Sequence, residues 1–202
     1  MASTLSLSAA PVREKTIRVA DDKAMLRAAA ELTRDLLKPR PGIYWADLIA
    51  SSVVGLFEST IAGFATLAIL MPIVSGMGGN AGTQTLAVVV RAIATNQLTD
   101  SNTRWMVFRE LRIAAANGAA LGVLIGIGTF LVFGRTDLAL VIAAAMFTNN
   151  ITAGLGGVLV PVTLDRMNID PAVSSAVFVT TLTDTMGFFS FLGLATLWGL
   201  HA

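Results

Sequence analysis

Residues 71–91 read MPIVSGMGGNAGTQTLAVVVR, and this segment combines a length that can cross a bilayer with residues that lipid disfavours. Pro72 and four glycines interrupt the apolar run, the polar pair Asn80 and Gln84 follows, and Arg91 closes the segment. A helix can be broken inside hydrocarbon only where the freed backbone groups meet protein or a water-filled cavity. Broken helices of this kind often mark ion and substrate sites. The segment is therefore predicted to be a broken helix that lines a polar path through a membrane.

The composition is typical of a membrane protein. Hydrophobic residues make up 54% of the 202 residues and charged residues 13%. A soluble domain of this length is not expected to carry several uncharged runs of about 20 residues, so the predicted fold is an all-α integral membrane protein. Basic residues near the N-terminus are interleaved with acids, which is unlike a nucleic-acid-binding surface. The chain is therefore expected to lie in a lipid bilayer and to bind no nucleic acid.

The residue types exclude several kinds of catalytic and metal centre. The chain has no cysteine, which removes disulfides, thiolate metal sites and cysteine catalysis. A single histidine, His201, cannot build a histidine-ligated zinc or iron centre. An intramembrane protease would need a catalytic pair, and Asp184 has no second aspartate within a predicted span. The chain is therefore not expected to be an enzyme.

Apolar runs separated by polar connections predict five membrane spans. Basic residues concentrate before residue 41 and in the connections at 97–112 and 165–170, which the positive-inside rule places in the cytoplasm together with the N-terminus. Residues 134–137 are predicted to form a tight turn. The predicted spans are about 42–64, 65–93, 113–133, 138–163 and 171–198, with the boundary between the first two near 58–63.

Two segments are predicted to precede a membrane domain at residues 41–202. Residues 1–20, Ser- and Ala-rich at their start, are expected to be disordered. Residues 21–40 are predicted to be a cytoplasmic amphipathic connecting segment, with apolar residues at helical spacing over 21–38. Two interpretations of this helix are open: a helix packed on the membrane or the bundle, and a regulatory gate.

Asp184 is the main candidate for chemistry. It lies in the middle of the last predicted span, within VFVTTLTDTMGFFSF, with no basic residue nearby. An ionisable group at that depth is a functional hypothesis by default. The structural alternative is a carboxyl kept neutral or hydrogen-bonded to Asn or Thr on a neighbouring helix. Functionally, aspartate and carbonyl oxygens suit hard cations such as Mg²⁺, and two carboxylates about a two-fold axis would balance a divalent charge, which favours a homodimer.

Other polar residues carry weaker predictions. Asn80 and Gln84 share a helix face at i, i+4 spacing, where they could hydrogen-bond ion-held water or hold helices together. Glu58 lies near an interface and fits an entrance charge or a boundary charge equally well. Asn149 and Asn150 are predicted to join helices rather than to bind an ion.

Three motifs resemble the membrane domain of the MgtE magnesium channels. They are FESTIAGFATLAILMPIVSGMGGNAGTQTLAVVVRAIA (57–94), VPVTLDRMNIDPA (160–172) and VFVTTLTDTMGFFSFLGLATL (177–197). The similarity covers about residues 40–200 in order, with the right number of spans between the motifs. It implies a homodimer of five-helix domains, with a pore at the two-fold axis that the second and fifth helices line.

The resemblance also implies a metal site. Asp184 would be the pore carboxylate that holds a hydrated Mg²⁺, with backbone carbonyls of Thr180 and Ala176, one and two turns earlier, contributing. Mn²⁺, Co²⁺ and Ni²⁺ bind the same kinds of ligand, so the residues do not select among these ions. The pore wall on the second helix would comprise Gly76, Gly79, Asn80 and Gln84.

The expected function is channel-like Mg²⁺ transport by a multi-pass protein of the inner (plasma) membrane. Members of the family usually carry a cytoplasmic Mg²⁺-sensing region before the membrane part, and here about 40 residues precede it. Three explanations are open: a separate cytoplasmic sensing partner, an ungated pore, or a fragment. Two other functions are also open: a Na⁺- or H⁺-coupled exchanger of divalent metals, and a non-conducting membrane subunit that docks a regulatory partner.

Overall fold

The computed structural model describes residues 41–200. The predictions for residues 1–20, for the segment at 21–40 and for His201 lie outside the described residues. Every regular element within 41–200 is a helix, which confirms the all-α prediction for that part of the chain. The helices are α1 (Pro41–Gly55), α2 (Glu58–Gly63), α3 (Thr66–Ala94), α4 (Asp100–Phe133), α5 (Thr136–Arg166) and α6 (Pro171–Leu197).

Three of the described helices are long and apolar enough to cross a membrane. These segments are Ser101–Phe133, Thr136–Arg166 and Ser174–Leu197, and Trp45–Gly55 forms a shorter apolar helix. This arrangement fits an α-helical integral membrane protein. Helix α3, with 29 residues, is not among these three. Five spans and a cytoplasmic N-terminus stay predictions.

The predicted break in the glycine-rich segment is wrong. Helix α3 runs without interruption from Thr66 to Ala94, with Pro72 inside it. Proline removes one backbone donor, and here its side chain lies on an exposed face of α3. The loss is therefore one hydrogen bond, and the helix continues on both sides of it.

Two other boundaries differ from the prediction. The expected first span is divided, because α1 ends at Gly55 and a turn closed by the Phe57 N–H on the Val54 carbonyl (3.0 Å) separates it from α2. The expected polar connection at 97–112 is mostly helix, because α4 already begins at Asp100. Thr99 and Asn102 form a capping box there, in which the Thr99 N–H donates to Asn102 Oδ1 at 2.9 Å. The boundary expected at 58–63 is occupied by α2, which has a break on each side.

Helix α5 lies at the centre and packs against α3, α4 and α6. Small residues let α4 approach α5 closely: a Cβ added at Gly122 would lie 2.8 Å from the Ala143 carbonyl oxygen. The tight turn predicted between these helices is confirmed, with Gly134 ending α4 at φ +65°. The apolar core includes Ile142 and Met146 of α5, both fully buried. Helix α5 thus fixes the positions of α3 and α6 relative to each other.

Candidate functional site

Asp184 lies on α6, half-buried, where this helix packs against α3. The Ser75 hydroxyl of α3 donates a hydrogen bond to Asp184 Oδ1. No other hydrogen bond or ion pair reaches this carboxylate from the residues that the structure describes. The carboxylate is therefore fixed from one side and has further acceptor capacity, since an ionised carboxylate offers about four lone-pair positions.

Ser75 is a residue that the sequence analysis missed. The structural alternative for Asp184 was a hydrogen bond to Asn or Thr on a neighbouring helix, and the observed partner is a serine on such a helix. Serine in a membrane helix commonly bonds its own backbone, so nothing in the sequence marks Ser75. The one indication in the sequence was its position within residues 71–91, the glycine-rich segment that was predicted to line a polar path.

The carbonyls of Thr180 and Ala176 lie on the same helix as Asp184 but are already engaged. The Thr180 hydroxyl donates to the Ala176 carbonyl at 3.0 Å, and the Thr183 hydroxyl donates to the Thr180 carbonyl at 3.0 Å. Helix α6 is regular here, so each carbonyl also accepts a backbone N–H. A carbonyl has two lone pairs. An ion would therefore displace a threonine hydroxyl or meet these oxygens through water.

The four residues predicted to line a path on α3 divide among three surfaces. Gly79 faces α6, since a Cβ added there would lie 3.8 Å from Thr183 Oγ1. Gly76 has no atom within 4 Å of an added Cβ, and Asn80 is exposed. Gln84 is exposed as well, but it lines a cavity between α3 and α4. Gly76 and Asn80, which we call the open face of α3, thus border the side of the helix that carries Ser75.

Asn149 joins α5 to α3 close to the Ser75–Asp184 pair. Its side chain is fully buried, and its Nδ2 donates to the carbonyl of Val74 at 2.9 Å. Glycines leave the room for this amide: a Cβ at Gly78 would lie 2.1 Å from Asn149 Nδ2, and a Cβ at Gly187 would lie 2.7 Å from it. The prediction that Asn149 joins helices is confirmed.

Among residues 41–200, Asn150 makes no side-chain hydrogen bond to another helix, which corrects the prediction for this residue. Its Nδ2 donates to the Met146 carbonyl of its own helix at 2.9 Å. Its Oδ1 is buried and has no hydrogen-bond partner. The physical reason is the length of the side chain, which reaches the carbonyl one turn earlier on the same helix as easily as a neighbour.

The described residues hold no group of three or more side chains typical of a resident metal centre. At this site, the described residues of one chain offer an ion a single carboxylate, Asp184, with the Ser75 hydroxyl bonded to it. Mg²⁺ loses its water reluctantly and is often bound through one or two carboxylates with several waters retained. The arrangement suits loose, water-mediated binding of a hard cation better than a closed coordination shell.

Comparison with known proteins places the site in a family context. Residues 71–194 match the MgtE family model, which describes a divalent cation transporter. The chain is similar to three bacterial proteins named magnesium transporter MgtE. It is 36% identical over 149 residues to that of Bacillus subtilis, 33% over 147 residues to that of Enterococcus faecalis, and 31% over 150 residues to that of Thermus thermophilus.

These matches cover a large share of this chain but a small share of each relative. They take in 73% to 74% of this chain and 32% to 33% of the relatives. The chain therefore spans about a third of the length of the curated relatives that it matches. The matched family segment contains both Ser75 and Asp184. It is a family of transporters, in keeping with the expectation that the chain is not an enzyme.

Proposed function

The chain belongs to the MgtE family of divalent cation transporters, and on that basis we propose that it conducts Mg²⁺ through a membrane as a homodimer, with Asp184 as the ion-binding carboxylate. The observation that carries this proposal is the carboxylate's environment. Asp184 lies within an apolar helix long enough to span a bilayer, is held by one serine hydroxyl, and has no cationic partner among the described residues. A charge kept at that depth without a counter-ion fits a site that receives a cation.

Two features support the proposed homodimer: the charge of the carboxylate and the open face of α3. One carboxylate supplies one negative charge, and a second copy related by a two-fold axis would supply the other. Within the described part of the chain, an added Cβ at Gly76 meets no atom within 4 Å and Asn80 is exposed, so this face is available to border an aqueous path at the axis. Small and polar residues at such a position leave room for a hydrated ion.

The direction of transport follows from the ion's charge. A divalent cation gains about 4.6 kcal/mol per 100 mV of membrane potential, twice the value for one elementary charge. This energy drives inward movement across a plasma membrane without a second ion. Arg104, Arg109 and Arg112 lie near the start of α4, which supports placing that end of the helix in the cytoplasm.

The proposal is tested by Mg²⁺ influx into vesicles that contain the full chain. Influx is expected when a potential, negative inside, is imposed with equal Na⁺ and equal pH on both sides. Influx that requires a Na⁺ or pH gradient would instead identify a coupled exchanger. No influx under either condition would overturn transport by this chain alone and support a non-conducting subunit.

Ser75→Ala is expected to weaken Mg²⁺ binding during transport. The variant removes the one donor to the Asp184 carboxylate among the described residues, and a hydrogen bond to a charged group contributes about 1.5–3 kcal/mol. The half-saturating Mg²⁺ concentration for influx should therefore rise by about tenfold or more. Ser190→Ala is the matched control, since the Ser190 hydroxyl donates to the Gly187 carbonyl of its own helix. If Ser75→Ala saturates at the wild-type concentration, Ser75 does not position the carboxylate.

Gly76→Cys is expected to link two copies covalently. The chain has no cysteine, so a single introduced thiol reports on its own position. A Cβ added at Gly76 meets no atom within 4 Å, so the variant should fold normally. If the open face borders the two-fold axis, mild oxidation or a short bifunctional thiol reagent should give a linked dimer on a denaturing gel. Leu124→Cys, at a side chain that is 64% exposed on α4, is the control. Equal linking at both positions would contradict this placement of the axis.

A further inference from the structure

The outer face of α4 carries a shallow cleft in the first half of the helix. Its volume is about 580 Å³, and its lining comprises Trp105, Phe108, Arg109, Arg112, Ile113 and Ala116. These residues recur at spacings of three and four, so they form one stripe along the helix. Helix α4 packs mainly on α5, which Gly118 and Gly122 contact from the opposite side of α4. The stripe is therefore turned outward, and Trp105 is 64% and Phe108 55% exposed.

The exposed charges of this face are all positive. Over residues 101–116 the ionisable side chains are Arg104, Arg109, Glu110 and Arg112. Glu110 is buried and turns toward Thr85 of α3, so it does not neutralise the outer surface. It lies 3.7 Å from Arg109 Nη1, but Arg104 and Arg112 have no acidic partner among the residues that the structure describes. Two guanidinium groups are therefore available to an anion.

Aromatic rings lie beside two of the guanidinium groups. The Arg104 guanidinium is 5.8 Å from the centre of the Phe108 ring, and that of Arg109 is 5.9 Å from the centre of the Trp105 ring. A cation over an aromatic face is attracted to it and keeps its N–H donors for other partners. The Phe108 ring therefore holds Arg104 at the edge of the cleft, with its donors available to an acceptor.

The stripe continues as an apolar surface toward the other end of α4. Val123 and Ile127 recur at the same helical spacing, and both are exposed. The part of α4 between Arg112 and Phe133 is roughly 30 Å long, which is about the thickness of the hydrocarbon core of a bilayer. When this part crosses the bilayer, Trp105 and the arginines lie at the level of the lipid headgroups, where tryptophan is enriched. An occupant of the stripe would thus meet guanidinium groups at one end and apolar side chains along the rest.

We propose that this surface, Arg104 with the residues that line the cleft, binds the phosphate group of an anionic phospholipid, and we call it the arginine face. Guanidinium groups bind phosphate oxygens through paired N–H donors, and basic surfaces beside membrane helices favour anionic headgroups. The acyl chains would lie along the apolar part of the stripe. A second copy facing this surface across a two-fold axis is disfavoured, because its arginines would meet these arginines. The inference concerns lipid binding alone and does not depend on the proposed transport function.

The test measures quenching of Trp105 fluorescence by lipids with brominated acyl chains. Trp45→Phe and Trp198→Phe, both at exposed positions, leave Trp105 as the one tryptophan of the full chain. The protein is placed in phosphatidylcholine vesicles that contain an increasing fraction of brominated phosphatidylglycerol, which is anionic, or of brominated phosphatidylcholine, which has no net charge. Phosphatidylglycerol should reach half-maximal quenching at a fraction at least about tenfold lower, since each arginine near an anionic lipid favours it by about fivefold.

Charge variants in this background locate the source of the preference. Arg112→Gln removes one charge from the cleft and should lower the preference for phosphatidylglycerol by about fivefold. Arg104→Gln should lower it similarly, and both positions are exposed, so both variants should fold. Arg91→Gln is the matched control, because it removes the same charge from an exposed arginine in the last turn of α3, outside the cleft. It should leave the preference unchanged.

Three results would overturn the inference. Equal quenching by the two brominated lipids would show that the arginine face does not select an anionic headgroup. An equal fall in preference in Arg91→Gln and Arg112→Gln would show that the general surface charge attracts the lipid and that the cleft does not. Absence of quenching by either lipid would show that protein covers this face. None of these results bears on Mg²⁺ influx, so the proposed function is tested separately.

Discussion

Asp184→Asn is expected to lower Mg²⁺ influx by at least about 100-fold while the protein folds normally. Asparagine keeps an acceptor oxygen for the Ser75 hydroxyl, so the contact between α3 and α6 survives and only the charge is lost. Each copy would contribute one charged contact to the hydrated ion, and a contact of this kind contributes at least about 1.5 kcal/mol. Loss of both contacts removes about 3 kcal/mol, which corresponds to a decrease in influx of about 100-fold. The measurement is the initial rate of influx into vesicles at equal protein content.

Matched variants make this result specific. Asp47→Asn on α1 is the same substitution at an exposed position, and it should leave influx near the wild-type rate. Asp184→Glu keeps the charge but moves it by about one carbon–carbon bond, so it should give a rate between those of Asp184→Asn and the wild type. Wild-type influx in Asp184→Asn would show that the Asp184 carboxylate is not the ion site.

Gly78→Ala is expected to destabilise the protein by roughly 3 kcal/mol or more. The added Cβ would lie 2.1 Å from Asn149 Nδ2, a distance at which one of the two must move. Asn149 cannot move freely, because it is hydrogen-bonded to Val74 and lies against Gly187 on its other side. Overpacking costs about 1–3 kcal/mol, and loss of a buried hydrogen bond adds to it. The midpoint of unfolding in detergent measures the effect.

A double variant identifies the cause of that loss. Shortening the amide in Asn149→Ala removes the clash, so Gly78→Ala should destabilise much less in that background, a coupling that a double-mutant cycle reports directly. Gly76→Ala is the matched control, since its added Cβ meets nothing within 4 Å. If Gly78→Ala is as stable as Gly76→Ala, the close contact between α3 and Asn149 does not hold the helices in register.

Several helix ends and the candidate carboxylate could be predicted from the sequence because each has a local signature. Gly134 supplies the left-handed residue that ends α4, and Asp170 before Pro171 caps the start of α6 through a hydrogen bond from the Ala172 N–H. Asp184 stood out because a charge inside an apolar run is rare. These features depend on neighbouring residues alone.

The continuity of α3 could not be predicted in the same way. A proline followed by glycines is compatible with a broken helix and with a regular helix that packs closely, and only the neighbours decide between them. Here Gly78 and Gly82 receive Asn149 and Val179 from other helices. The same holds for the hydrogen bond between Ser75 and Asp184, which are 109 residues apart in sequence. No pattern of neighbouring residues predicts that this serine and this aspartate are hydrogen-bonded.

The buried position of Glu110 was missed because residues 97–112 were assigned to a polar connection. Residues 100–112 carry enough charge to read as a loop, yet they begin α4 and turn Glu110 inward against α3 and α5. Gln84 was expected to border the same path as Gly76, but the rotation of α3 over two turns brings it to the α4 side. Helix rotation relative to neighbours is set by packing, which the sequence pattern of α3 leaves open.

The most direct test of the central claim, conduction of Mg²⁺ without a coupled ion, is the reversal potential of the current through the full chain in a planar bilayer. With a tenfold Mg²⁺ gradient and equal Na⁺ and pH on both sides, the current should reverse about 30 mV from zero, because a tenfold ratio is worth about 1.4 kcal/mol and a divalent ion gains about 4.6 kcal/mol per 100 mV. A reversal potential that stays at zero, or that follows an imposed Na⁺ or pH gradient, would contradict it.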